Sequence, residues 1–498
     1  MRVVETRQAQ LGDLAISDIQ FDIKSRDDIP QLLRGLQYIY INDELRNAVF
    51  TLLENHIQPD KSNNNGRPGM NLWNILVMGV LRLDLNWDYD RLHEQVNNHK
   101  TIRQMLGHAN IFDTHSYHLQ TLKDNVRLLT PELLDKINQV VVTSGHALVK
   151  KNESEVLRGR CDSFVAKTNV HYPTDINVLN DAMRKVITLT ARLCEENGLS
   201  TWRQHAYNVR HVKRLMRTTQ LKKRGGGKTE EQKAKRQMEM VEAHQQYIDT
   251  AQAYLEKARL SLVSLNNMGT LSTTQILCEL EIQRYMIDAD RQIDQINRRV
   301  MKGESIPHAE KVFSIFEPHT EWIVKGKAGI SQELGLRVCI MEDHHRFLLH
   351  HRVMEKQTDD QVAVLMVSET KERFNSFSSC SFDKGFHSPD NQTKLREILD
   401  VVALPRKGKR SQKIQDLESS EDYKRAHDKH SAVESAINAL QVHGLDRCPD
   451  HGLVGFKRYV ALSIVARNIQ RIGAILTDKE RARLERQRRR QQKQAQAA

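Results

Sequence analysis

Apolar side chains recur at helical spacing through the first 150 residues. After Asn42, which can cap a helix, Leu45, Val49, Leu52 and Leu53 fall on one face. The nearly uninterrupted apolar run Leu72 to Leu83 predicts a buried helix and Tyr89 to Val96 an amphipathic one. Thr130-Pro131 opens another, pairing a capping hydroxyl with a first-turn proline. Lys61-Ser-Asn-Asn-Asn-Gly66 reads as a loop between the first two. Short helices in series predict an all-α, helix-turn-helix-like N-terminal domain over residues 1–150, an arrangement that non-binding helical domains share.

The period changes at Val156. Val156 to Val165 leans to strand and continues into Asn169-Val-His-Tyr172, which predicts a first hairpin. From about Ile176 to Val300 the helical period returns. Val241, Ile248, Leu255 and Leu262 are seven apart, with His244, Ala251, Ala258 and Leu265 as companions; beyond Gly269 come Ile276, Leu280, Ile287, Ile293 and Val300. Such heptads predict an antiparallel helical hairpin. Further on, Val312 to Phe316, Leu334 to Met341 and Arg346 to Val353 read as strands, with Lys325 to Gly329 as a turn. A helix at Asp359 to Glu372, a strand ending at Phe382, a helix near Thr393 to Leu399, a strand at Val401 to Leu404 and a helix carrying Val433, Ala436, Ile437 and Leu440 complete the series. That is the element order of an RNase H-like domain with an insertion. The predicted fold is an α/β RNase H-like catalytic core with a mixed sheet at 151–475, interrupted by an all-α insertion at 176–305 and followed by a basic tail at 476–498.

Three acidic residues stand out by their settings. Asp162 lies within the first strand, Asp383 closes another just before Lys384-Gly385, and Glu434 projects beside the apolar stripe of the last helix. Two strand-borne aspartates facing a helical glutamate make a hard, all-oxygen site suited to two Mg²⁺ or Mn²⁺ ions. Taken singly, each is more often a solvated carboxylate or a cap.

Composition narrows the partners. The chain has 75 Lys and Arg against 63 Asp and Glu, a net charge of +12, which favours a polyanion. Its densest interior stretch is Arg203, Arg210, Lys213, Arg214, Arg217, Lys222, Lys223, Arg224, Lys228, Lys233, Lys235 and Arg236, opposed by Glu230 and Glu231. A charge run is usually a solvated face, but this density favours phosphate contact. Six scattered cysteines without a C-x-x-C pair fit a reducing compartment, and no apolar run is long enough for a membrane. The expected location is cytoplasmic. Gly225-Gly-Gly-Lys-Thr229 lacks the leading glycine of a phosphate-binding loop, since Lys222 stands there, and excludes an ATPase reading. Within Asp343-His-His-Arg-Phe-Leu-Leu-His-His351, adjacent histidines on a strand would face opposite sides, which argues against one metal cluster.

Four blocks carry a family resemblance: Arg160 to Asp175, Phe316 to Lys327, Asp383 to Asn391, and Val433 to Gly452. They resemble bacterial insertion-sequence transposases of the DDE type, in the ISNCY group, over most of the chain to about Gly473. The resemblance implies that Asp162, Asp383 and Glu434 hold the metal ions. It also implies that the substrates are double-stranded DNA, both terminal inverted repeats and target, with a homodimer or higher assembly at synapsis in a bacterial, nucleoid-associated setting. Many such enzymes carry Tyr-x-x-Arg-x-x-x-Glu-x6-Lys around the glutamate, whereas this chain has His427, His430 and Gln441 at those positions. Lys325, Lys327, His387, Lys429, Arg447, Lys457 and Arg458 are the candidate DNA contacts, and His319 and His387 candidate positioners of water or phosphate. Tyr423 and Tyr459 lack the arginine and histidine surroundings of a tyrosine recombinase. A structure-selective nuclease and a non-catalytic DNA-binding regulator remain as alternatives.

Overall fold

The computed structural model describes residues 4, 14–57, 69–108, 113–152, 154–223, 229–269, 271–324, 332–406, 408 and 412–497. The loop expected at Lys61 to Gly66, the turn at Lys325 to Gly329 and residues Gly225 to Lys228 lie outside them. The chain divides into two compact units, Met1–Asn169 with Ile323–Ala498, and Val170–Trp322.

Seven helices open the first unit: α1 Asp28–Ile41, α2 Asp43–Ile57, α3 Leu72–Asp84, α4 Tyr89–Asn98, α5 Lys100–Met105, α6 Leu119–Val126 and α7 Pro131–Val149. Their starts follow from capping: Asp27, Asp88 and Thr130 accept from backbone N–H groups of α1, α4 and α7, and Asn42 Oδ1 accepts from Leu45 N at 3.0 Å. Every residue of α3 is buried, as its unbroken apolar run requires. These helices do not have a core of their own. Their apolar residues join those of the sheet and of the last helix in one cluster. A tight three-way link shows how: Asn468 donates to Asn138 Oδ1 at 2.7 Å and accepts from Leu348 N at 2.9 Å, while Asn138 donates to Leu348 O at 3.1 Å. The last helix also meets α1 at glycines, where a Cβ on Gly35 would lie 2.1 Å from Ile469 O and one on Gly473 1.9 Å from Gln31 O. Apolar periodicity marks which face is buried and is silent about what buries it.

The sheet is built on β1 Leu157–Thr168, with β2 Glu321–Val324, β3 Gln332–Asp343 and β4 Leu348–Met354. After β4 come α12 Asp359–Arg373, numbered after the four helices of the second unit, and β5 Phe377–Phe382. Then follow α13 Pro389–Ile398, β6 Val401–Ala403, α14 Gln412–Glu418, α15 Glu421–Asp428, α16 Ala432–Leu440, β7 Arg447–Cys448 and α17 Gly452–Ala497. Strand order is β2-β3-β1-β5-β6, with β4 also on β3 and β7 also on β1. β3 runs antiparallel to β1 and to β4, whereas β5 runs parallel to β1 and to β6. The sheet is therefore mixed, in a mostly helical chain.

The first hairpin is not formed. Asn169 to Tyr172 are not strand, and the antiparallel neighbour of β1 is β3, which enters only after the helical unit. Local β-propensity cannot tell a hairpin partner from one contributed some 170 residues later. Val312 to Phe316 is not strand either; its aromatics pack, Phe316 on Tyr285 at 6.2 Å and Phe313 on Trp322 at 5.6 Å. The basic run Arg481 to Lys493 continues α17 as helix. Among the described residues, no helix is long and apolar enough to cross a membrane.

The second unit holds α8 Asp175–Glu196, α9 His205–Lys223, α10 Glu230–Met268 and α11 Thr273–Ile296. α10 buries His244, Ile248, Ala251, Leu255, Ala258, Leu262 and Leu265 as the heptads predict. α11 departs from prediction. Leu280 and Ile287 are 55% and 61% exposed and Ile276 45%, while Cys278, Ile282, Tyr285, Met286, Ala289, Ile293 and Ile296 face inward. α11 packs chiefly on α8 rather than on α10, so the expected two-helix hairpin is a four-helix bundle. Two apolar series at helical spacing coexist in α11, and only packing selects one.

Candidate metal-ion site

Cys161 of β1 pairs with Phe382 of β5 in parallel register, so Asp162, within β1, and Asp383, the first residue past β5, each follow directly on a paired position. Side chains level with each other on parallel strands share a face. Asp162 Oδ1 accepts from Ser163 N at 2.7 Å; Asp383 Oδ1 accepts from Lys384 N at 2.7 Å and caps the short turn Lys384–Phe386 where the chain leaves the sheet. Glu434 lies exposed in the first turn of α16, which buries Val433, Ala436 and Leu440 and packs against β1. Burial first, and then the negative charges of Asp383, Asp359 and Glu434, together raise the Asp162 carboxyl to about 6 against the Ser163 N–H bond, which lowers it. The charges of Asp383 and Glu434, the other two carboxylates expected from the sequence, are thus felt at Asp162.

A fourth, Asp359, was not foreseen. It begins α12, accepts the Ser163 hydroxyl on Oδ1 at 2.6 Å, and its Oδ2 would lie 3.1 Å from a Cβ on Gly385. Asp359 therefore sits between the residue after Asp162 and the residue two beyond Asp383. Gly385 leaves room for it. In sequence, Thr358-Asp359-Asp360 reads as an ordinary acidic helix start, so nothing local singled it out.

Among the described residues, none of these four carboxylates is in an ion pair. The donor set is all oxygen and suits hard divalent cations. No three of the carboxylates bring oxygens within 4.8 Å of one another, a spacing that repulsion between like charges favours.

The surroundings of Glu434 are partly structural. His430 Nδ1 bonds Ser381 Oγ at 3.1 Å; burial lowers its pKa, against the pull of Asp383 and Glu434. Arg160 donates to Asp343 O at 2.7 Å and Lys429 O at 3.4 Å, tying β1 to the turn before α16. His427 is exposed and stacks on Tyr423, with ring centroids 6.0 Å apart.

The expected DNA contacts scatter. Lys325 and Lys327 lie outside the described residues. Lys429 and Arg447 are exposed; His387 is buried beside a cleft lined by Pro389, Gln392, Arg396 and Arg406. Lys457 is paired with Glu355 at 2.6 Å, and Arg458 with Asp450 at 3.1 Å. Asp450 also holds buried Arg82 at 2.7 Å, whose guanidinium lies over the Tyr89 ring at 4.0 Å. Arg458 thus belongs to a buried ion-pair network, a role that sequence proximity to Glu434 did not suggest. His319 belongs to the helical unit, beside Glu317 at 3.7 Å. Tyr459 donates to Gly444 O at 3.1 Å and burial raises its pKa, so both tyrosines are packing residues.

The histidine cluster also differs from expectation. His344 and His345 occupy the turn between β3 and β4, not a strand, and both Nε2 atoms reach Glu155 Oε1, at 3.1 and 2.9 Å. Ligand atoms of these three residues lie within 4.8 Å, close enough to hold a cation. Yet His344 Nδ1 accepts from Arg158 N at 3.3 Å, which puts the neutral ring's proton on Nε2, facing the carboxylate. In that tautomer the trio is a hydrogen-bonded clamp on the turn. His350 bonds Glu369 at 2.7 Å, and burial lowers His351 to about 4, so the other pair is structural.

No protein-family model matches the chain, nor does a curated protein or a solved structure. The functional reading rests on geometry.

Proposed function

We propose that this chain is a DDE-type DNA transposase with an RNase H-like core, acting on DNA in a bacterial cytoplasm. The observation that carries the proposal is the parallel register of β1 and β5, which sets Asp162 beside Asp383 with Glu434 on an adjacent helix and, among the described residues, no ion pair to any of the three. Strand order and direction support it, since a central β1 flanked by an antiparallel pair on one side and parallel strands on the other is the RNase H-like arrangement. Here the helical unit interrupts that arrangement after β1.

Two divalent cations, when bound, activate water or a 3′-hydroxyl and neutralise charge developing on phosphate oxygens. Asp162, from within β1, and Asp383, from the exit of β5, would hold the ions at the edge of a rigid sheet. Glu434 closes the site from the helix side. Asp359 accepts the Ser163 hydroxyl and lies close to Gly385, so it adjoins both the strand and the turn after Asp383. The first step cleaves the phosphodiester at an element end, and the freed 3′-hydroxyl then attacks target DNA in line, without a covalent protein intermediate.

The test is incubation of purified protein with labelled element ends and a supercoiled target plasmid in Mg²⁺ or Mn²⁺. Joined product is expected. Cleavage that never yields joined product would replace this reading with a nuclease, and activity unchanged in Asp162→Asn would remove the site altogether.

A further inference from the structure

We infer that one face of α9 is a docking surface for the phosphate backbone of duplex DNA, separate from the carboxylate site. From Tyr207 the positions Arg210, Arg214, Arg217 and Leu221 follow at intervals of three and four, and all are exposed. This spacing aligns them in one row along the helix, about 21 Å long at 1.5 Å per residue. Arg203, in the turn just before α9, extends the row and lines an open cleft with Tyr207 and Arg210.

The ordinary explanation for such a run is a solvated face neutralised by acidic neighbours. That does not hold here. α9 contains no Asp or Glu, and among the described residues no ion pair engages Arg203, Arg210, Lys213, Arg214 or Arg217. Elsewhere in the same unit comparable cations are paired, Arg259 with Asp290 at 2.7 Å and Arg298 with Glu310 at 2.6 Å. The orientation is fixed from behind: Val212, Leu215 and Met216 are buried, and Asn208 accepts from Tyr254 Oη at 3.1 Å. The row therefore points outward on a rigid rod.

Its chemistry selects the partner. A straight row of guanidinium groups matches a stiff polyanion, and arginine binds phosphate with a planar, bidentate fork. A single strand would need stacking platforms, and Tyr207 is the one aromatic in the row. A membrane would need a continuous exposed apolar face, whereas Val212, Leu215 and Met216 are buried in the bundle and Tyr207 and Leu221 are the only large apolar side chains of α9 left exposed, one at each end of the row. Duplex DNA requires neither. The surface extends the transposase reading and is separable from it, because backbone binding needs no phosphodiester chemistry.

The test uses the full chain with Arg210→Gln, Arg214→Gln and Arg217→Gln combined, and measures affinity for a linear duplex across a salt series. Each lost phosphate contact lowers the slope of log K against log salt by about 0.9, so the slope should fall by roughly 2 to 3 whatever the DNA sequence. The triple Arg→Lys variant should restore most of it, which excludes misfolding, and Arg259→Gln should leave it unchanged. Asp162→Asn should also leave it unchanged, so failure of the chemistry and failure of this surface are read separately. A slope in the Gln variant equal to that of the parent, or an equal loss on single-stranded DNA or anionic vesicles, overturns the proposal.

Discussion

In the sheet-containing unit, Asp162, Asp359, Asp383 and Glu434 arrive from β1, α12, the end of β5 and α16, and their charges act on one another across a half-buried site. In the helical unit, Arg210, Arg214 and Arg217 come from a single helix and stand in water. Among the described residues neither cluster is ion-paired, yet the two differ in what that costs. Burial of like charges raises a carboxyl pKa, whereas exposed cations a helical turn apart are screened. The first cluster suits a small, hard cation held closely; the second suits an extended anion that releases salt on binding.

Replacing a carboxylate is the strongest way to break this comparison. Asp162→Asn or Asp383→Asn should lower cleavage and joining by about 10³-fold or more, as several kcal/mol of transition-state stabilisation are lost. Duplex binding by the helical unit should persist, and a parallel loss of binding would merge what are here two functions. Asp359→Asn should have a smaller effect, a 10- to 100-fold loss in Mn²⁺ affinity or rate, as expected when a partner that positions a ligand is changed. Calorimetric titration with Mn²⁺ alone measures it. A variant with parental Mn²⁺ affinity would reduce Asp359 to an ordinary helix start.

The pH dependence sharpens the contrast further. The Asp162 carboxyl is raised to about 6 from an ordinary 3.8, so the native state binds its proton more tightly than the unfolded chain. Its contribution to stability is full below about pH 4 and is lost as pH rises through about 6. Asp162→Asn should accordingly stabilise the protein in EDTA at pH 7, by on the order of 2 kcal/mol, and bring no gain below about pH 4. Urea melts at the two pH values decide this. The smallest effect belongs to the histidine clamp: Glu155→Gln should lower the melting temperature slightly, and zinc should not raise that of the parent. A clear zinc-dependent rise would turn the clamp into a metal site.

Legibility in the sequence was uneven for identifiable reasons. Strand exits and helix caps are local, so Asp383 and the stripe beside Glu434 could be placed from neighbouring residues. The partner of β1 could not, because the β3 segment that pairs with it lies beyond the helical unit. The same limit concealed Asp359, whose significance depends on Ser163 and Gly385 approaching from other elements. In α11 the predicted series mixed positions that are exposed, Ile276, Leu280 and Ile287, with one that is buried, Ile293. Arg458 and Lys457 read as free cations until folding supplied Asp450 and Glu355.

By itself the sequence determined the secondary-structure periods, the excess of positive charge, the acid-free arginine row of α9 and the candidate carboxylates, because each is a property of residues within a few turns of one another. The tertiary structure alone decided which strands pair, that the N-terminal helices share the core of the sheet, and that a fourth carboxylate joins the other three. Those outcomes depend on contacts between segments far apart in the chain, where local preference carries no information about the partner.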